Sequence, residues 1–169
     1  MMSRSRLIKL AVLLLILAPV GALLHRFLPQ HDVLRLVGTE VRRIDLDGRP
    51  GGETRDVFYI YGETLDTKRP RVYRNEDTGW GLPPYFKFNS ADLQAVAASI
   101  AAERGTAILT NYGWRINLFS MFPNVTGISR APDGASPFPW FNVIFLLVLG
   151  GIVFLAVRSG SRLLGRRRA

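Results

Sequence analysis

The densest group of chemistry-bearing side chains in this 169-residue chain lies in RVYRNEDTGWGLPPYFKF, Arg71 to Phe88, which sets Arg74, Asn75, Glu76, Asp77 and Trp80 within seven positions. An arginine, an amide, two acids and a tryptophan can make a binding surface, with Trp80 as a stacking platform for a sugar or another ring. Glu76 or Asp77 could also serve as acid or base on an envelope substrate. Adjacent residues of an extended segment point to opposite faces, so the two acids cannot form a catalytic pair unaided. A glycosidase-like pair needs a second carboxylate, such as Asp56 or Asp92, roughly 5 to 9 Å away. The same residues also build an ordinary turn. Asn75 and Asp77 can bond to the backbone, Gly79 and Gly81 permit positive φ, Trp80 can plug the turn onto a sheet, and Arg71 and Arg74 supply counter-charge. The stretch is therefore a candidate ligand or partner contact without an assigned catalytic residue.

Other chemistries find little support. There is no cysteine, which excludes disulfides, thiolate metal sites and cysteine nucleophiles. The two histidines, His25 and His31, fall beside an apolar run. Asp45 and Asp47 in DLDG have the alternate spacing that opens a calcium loop, but Arg49 stands where the next ligand belongs and Pro50 follows, so a hairpin turn is expected there. NVT at Asn124 spells a glycosylation acceptor and carries no weight in a bacterium. Glycine-rich phosphate loops and serine elbows are absent from the sequence. No metal and no cofactor is expected.

A second candidate contact is GWRINLFSMFPN, Gly113 to Asn124. Trp114, Phe119 and Phe122, with Ile116, Leu118 and Met121, exceed what a small one-helix body is expected to bury. Part of this segment is expected to stay exposed, against the outer leaflet or a partner protein. The alternative is that these residues complete the core.

The elements that must carry these residues are framed by two apolar runs. Leu7 to Leu24 is eighteen residues with one charge, Lys9. At about 1.5 Å per residue it reaches about 27 Å, enough for a hydrocarbon core. Basic residues before it and a small-residue VGA site, Val20 to Ala22, also fit a cleaved leader. Phe138 to Val157 is twenty residues without a charge, with Trp140 and Phe141 where an interfacial aromatic belt belongs. Gly150 and Gly151 within it could admit a second helix, either the first span or another copy in a homo-oligomer.

Charge sets the direction. Of 22 basic residues, eight lie in the first nine and last twelve positions, where no acid occurs, while all 13 acids fall between residues 25 and 139. The overall +9 is thus a property of the ends, the middle is nearly neutral, and a nucleic-acid surface is not expected. Basic flanks stay cytoplasmic, so both termini should face the cytoplasm and the middle should lie in the periplasm. The expected organisation is a cytoplasmic N-terminus and span over 1–28, a periplasmic domain over 29–128, a linker over 129–137, a second span over 138–157 and a basic tail over 158–169.

Within the domain, residues 33–46 and 55–61 read as an antiparallel pair across the Asp47-Gly48 turn, with further strands at 70–74 and 85–88. SADLQAVAASIAAERG reads as a helix capped by Asn89 or Ser90, with Leu93, Val96, Ala97, Ile100 and Ala101 on one face. TAILTNYGWRINLF then resumes strand character. The expected fold is α+β, a small, mainly antiparallel sheet covered by one helix and flanked by two transmembrane helices.

VYRNEDTGWGLPPYFKFNSADLQ at 72–94 and NYGWRINLFSMFPN at 111–124 together resemble a domain-of-unknown-function family of small inner-membrane proteins, mainly alphaproteobacterial. The resemblance implies a two-span membrane protein with one compact domain between the spans, and it brings no activity, cofactor or catalytic residue. The expected function is a non-enzymatic interaction or accessory module of the envelope, with the bilayer and another envelope protein as partners. The alternative is a membrane-anchored envelope enzyme using the carboxylates of residues 74–81.

Overall fold

The computed structural model describes residues 4–45, 54–132 and 134–166. Residues 1–137 and 138–169 form two separate units. The first holds helix α1 (Arg4–Phe27), strands β1 (Gln30–Asp45), β2 (Thr54–Thr64) and β3 (Pro70–Asn75), helix α2 (Ser90–Ala102), strand β4 (Thr106–Tyr112), a single 3-10 turn (Asn117–Phe119) and strand β5 (Asn124–Arg130). The second is helix α3 (Trp140–Arg166). α1 and α3 are each long and apolar enough to cross a membrane, over Leu10–Phe27 and Trp140–Ser159, and no residue of either window is buried in protein.

The expected antiparallel pair forms, but the sheet does not stay open. β1 has 16 residues, about 50 Å if straight, which a domain this small cannot house without bending it. It bends at a bulge between Leu36 and Gly38, and bulges sharpen local twist. Its first part, Gln30 to Arg35, pairs with β4, and Leu34 to Asp45 pairs with β2. One strand therefore belongs to two walls. The sheet closes in the order β1-β2-β3-β5-β4, every pair antiparallel except β3 with β5. Strand order, the single parallel pair and a helix inserted between β3 and β4 are those of an OB-type Greek-key barrel.

This corrects the expectation of a sheet covered on one face. β1 pairs with both β2 and β4, so the sheet has no open edge between them and closes on itself, and α2 contacts β1, β2, β3 and β5 of that barrel. Its Ala97 and Ile100 join Leu34, Leu36, Ile60, Tyr73, Ala107, Leu109 and Val125 in one core. Residues 85–88 are not a strand but part of a loop between β3 and α2. β5 runs to Arg130, into the segment expected as linker. The expected Asp47-Gly48 turn lies outside the described residues.

The β3–β5 seam is narrow: Arg74 opposite Asn124, plus a bond from Arg74 N to Pro123 O of 2.9 Å. The Asn124 side chain widens it, accepting from Glu76 N at 2.8 Å and donating to Glu76 O at 3.0 Å. The expected helix cap is also replaced. Asn89 makes no side-chain cap bond; Asp77 accepts instead from Ser90 N at 2.9 Å and from Ser90 Oγ at 3.0 Å.

A buried lysine holds the far end of the same loop. Lys87 Nζ donates to Val125 O at 2.6 Å and to Asn75 Oδ1, while Asn75 Nδ2 donates to Ser90 O at 2.8 Å. Burial draws the Lys87 ammonium down to about 8, against the opposing pull of Asp77 and Glu76.

Two predictions follow from the closure. A Cβ at Gly62 would sit 2.7 Å from Leu34 Cδ1 and 3.1 Å from Arg35 O, and neither the buried side chain nor the backbone can yield cheaply. Gly62→Ala is expected to cost about 1–3 kcal/mol in chemical denaturation of the detergent-solubilised chain. Lys87 has its folded pKa below its ordinary 10.5, so the unfolded chain binds more protons between about 8 and 10.5. The burial penalty is full below that window and is relieved as pH rises through it. Stability relative to Lys87→Met should therefore climb with pH, by at most about 1.4 kcal/mol per unit, as read by thermal unfolding across the window.

Candidate functional site

The last turn of α1 leaves carbonyls without helical partners, and the barrel supplies donors to them. Gln30 Nε2 donates to His25 O at 3.0 Å, Gly113 N to Arg26 O at 2.8 Å and Tyr85 Oη to Phe27 O at 2.6 Å. Trp114 Nε1 adds a bond of 2.9 Å to His25 Nδ1, and the Arg26 guanidinium lies 5.7 Å from the centre of the Trp114 ring. Tyr85 stacks on Tyr112 at 4.6 Å, and burial pushes the Tyr85 phenol up to about 12. Both the β3–α2 loop and the β4–β5 loop are thereby pinned to the end of α1.

A cleft of about 420 Å³ opens between these loops. Three guanidinium side chains line it: Arg26 from α1, Arg55 from β2 and Arg74 from β3. Glu76, held by Asn124 through both backbone groups, is ion-paired with Arg55 and lies 3.1 Å from Arg74 Nε. The second contact falls outside hydrogen-bond geometry, so it is ionic only. Asp77, Thr78, Tyr112 and Asn124 add polar lining, and Leu82, Phe119, Met121 and Phe122 add apolar lining. The lining is amphipathic, and its cations outnumber its carboxylates.

Of the residues singled out from sequence, Arg74, Glu76 and Asp77 do line the cleft together. Asn75 does not. It is fully buried with both side-chain atoms engaged, so its place is the core rather than a contact surface. Trp80 does not plug the turn onto the sheet; it is 84% exposed, beside Phe86 and Phe88 at ring distances of 5.6 and 5.4 Å. Phe119 lines the cleft and is 67% exposed. Phe122 is half-buried, edge-on to Tyr59 at 5.5 Å and under Arg115 at 3.9 Å. Trp114 is half-buried at the α1 junction. Sequence reasoning missed Arg26, Arg55 and Tyr112 as lining residues, and it gave the Asn124 side chain no role beyond a glycosylation spelling and the end of the Gly113–Asn124 segment.

Both carboxylates proposed for acid-base work are occupied, Glu76 by two guanidinium groups and Asp77 by the N-terminus of α2. Glu76 has Arg55 and Arg74 where a substrate hydroxyl would have to approach. Among the described residues no group of three or more histidine, aspartate or glutamate side chains could hold a metal ion. The arrangement suits recognition of an anion next to an apolar group better than proton transfer. Asp77→Ala removes the α2 cap and is expected to lower stability by about 1–2 kcal/mol, measured by chemical denaturation, whereas Asn89→Ala should leave it within about 0.5 kcal/mol.

Residues 5–163 match the model of a family described as protein of unknown function, DUF1523. The chain is also 40% identical over 140 residues to an uncharacterized protein of Haemophilus influenzae, an alignment covering 77% of this chain and 78% of that one. No solved structure matches it. The family match takes in nearly all of α1, the whole barrel and most of α3, and on that extent the chain belongs to the DUF1523 family.

Proposed function

We propose that this chain is a two-pass protein of a bacterial inner membrane that displays its barrel in the periplasm as a non-enzymatic binding module, with the cleft beside α1 as its contact site. The observation that carries this reading is the bare apolar surface of α1 and α3. A core helix of a soluble protein turns an apolar stripe to its neighbours, whereas these two are predominantly apolar along windows of 18 and 20 residues, none of which is buried in protein. The charge partition supports the direction, since the basic ends favour the cytoplasm and the nearly neutral barrel crosses. The OB-type fold by itself assigns no ligand. The binding role rests on the cleft, whose charged groups are held in place by the seam and by the α1 junction.

A reporter that is active only in the periplasm should be silent when fused after Ala169 and active when inserted between Gly134 and Pro137. The opposite pattern overturns the topology. The mass of the mature chain tests the first span, because loss of α1 would show a cleaved leader and a single anchor.

A further inference from the structure

The loops beside the cleft carry apolar side chains that nothing in the barrel covers. The β3–α2 loop is closed at its base, Gly79 N donating to Lys87 O at 3.1 Å and Lys87 N to Thr78 Oγ1 at 3.1 Å, and it holds Trp80 at 84% and Leu82 at 90% exposure. The β4–β5 loop holds Leu118 at 85% and Phe119 at 67%. Both loops are bonded to the last turn of α1, at Phe27 O and Arg26 O. If α1 spans the bilayer, that turn lies at the headgroup layer, and the same bonds hold both loops close to it. Trp and other aromatic side chains favour this layer.

The cleft is lined both by side chains of this apolar rim and by the three arginines. Leu82 and Phe119 belong to both the rim and the cleft wall, and Arg26 is the cation nearest the end of the span. Arg26 has no carboxylate partner among the described residues, and one glutamate is shared by Arg55 and Arg74. A ligand matching this lining carries both a phosphate and apolar matter, and beside a membrane-spanning α1 it would reach the site from the membrane. Arginine forks suit phosphate oxygens.

We propose that the cleft takes the phosphate headgroup of an anionic phospholipid from the leaflet in which α1 ends, with Trp80, Leu82, Leu118 and Phe119 dipping into the headgroup layer. This names the ligand of the site proposed above and rests on α1 being a membrane span.

The test uses the full chain in nanodiscs of phosphatidylcholine with and without phosphatidylglycerol, with native mass spectrometry of the lipid retained on release. Wild type should retain phosphatidylglycerol selectively. Arg26→Gln should lower retention about tenfold, the worth of one charge-assisted hydrogen bond. Phe119→Ser, at an exposed position, should lower it with unchanged thermal unfolding. Glu76→Gln, which frees two guanidinium groups, should raise it. Equal retention by wild type and Arg26→Gln overturns the proposal. So does glycerol phosphate that displaces the lipid as well from wild type as from Phe119→Ser, since the site would then read a free anion. Release of the chain from membranes by alkaline carbonate overturns the membrane reading itself, whereas a chain that stays embedded yet shows no lipid preference overturns only the lipid assignment.

Discussion

The carbonyls at the C-terminal end of α1 set the geometry of everything around the cleft. A helix ends with four acceptors unpaired, and such groups cost free energy unless water or protein donors reach them. Here His25, Arg26 and Phe27 are each met by a donor from the barrel, one from β1, one from the residue after β4 and one from the β3–α2 loop. Three chain segments far apart in sequence are thereby fixed to one helical turn. A flexible tether between helix and barrel would leave the two loops free to turn their apolar tips inward. The short passage from Phe27 to Gln30 and these three bonds remove that freedom.

The seam between β3 and β5 is the second constraint, and it depends on the first little. One backbone pair is a weak way to close a barrel, so the Asn124 amide, which bonds both backbone groups of Glu76, carries a large share of the closure. The same two bonds orient Glu76 between Arg55 and Arg74. Without that carboxylate the two guanidinium groups would face each other across β2 and β3 and repel. With it they are held, and the cleft still keeps a surplus of positive charge through Arg26. Fold closure and site electrostatics therefore share one residue.

Much of the fold was legible in the sequence because it rests on local rules. The uniform aliphatic runs gave α1 and α3, the apolar period of 3, 4, 7 and 8 gave α2, and β-rich runs on either side of a turn signal gave β1 with β2. Closure was not legible, since period-2 alternation is the same in an open sheet and in a barrel. The length of β1 was the available clue: a strand of 16 residues has to bend. Asn75 was misplaced although its signal was present, because Tyr73 and Asn75 are two apart in one strand and must share a face, and Tyr73 is core. The Asp77 cap was out of reach of any local rule, lying 13 residues before the helix it serves. Arg26 and Arg55 join the cleft only through tertiary contacts, and no spacing announces them.

The outward pose of Trp80, Leu82, Leu118 and Phe119 is the hardest feature to reconcile with a freely dissolved barrel. Burying a large apolar side chain contributes about 1.5–3 kcal/mol, so four left in water forgo a sum comparable to the whole net stability of a domain, about 5–15 kcal/mol. The chain also accepts the desolvation of Lys87 to tie the end of the first of these loops to Val125 of β5 and Asn75 of β3, when a neutral side chain would fill the same space without that cost. Rigid support beneath an exposed apolar tip is the opposite of what a solvent-facing turn needs. It is what a surface needs when a second apolar phase lies against it, because loops already held in the bound pose lose little entropy on contact. On the proposed reading of α1 as a span, a bilayer at its end would supply that phase without any further chain.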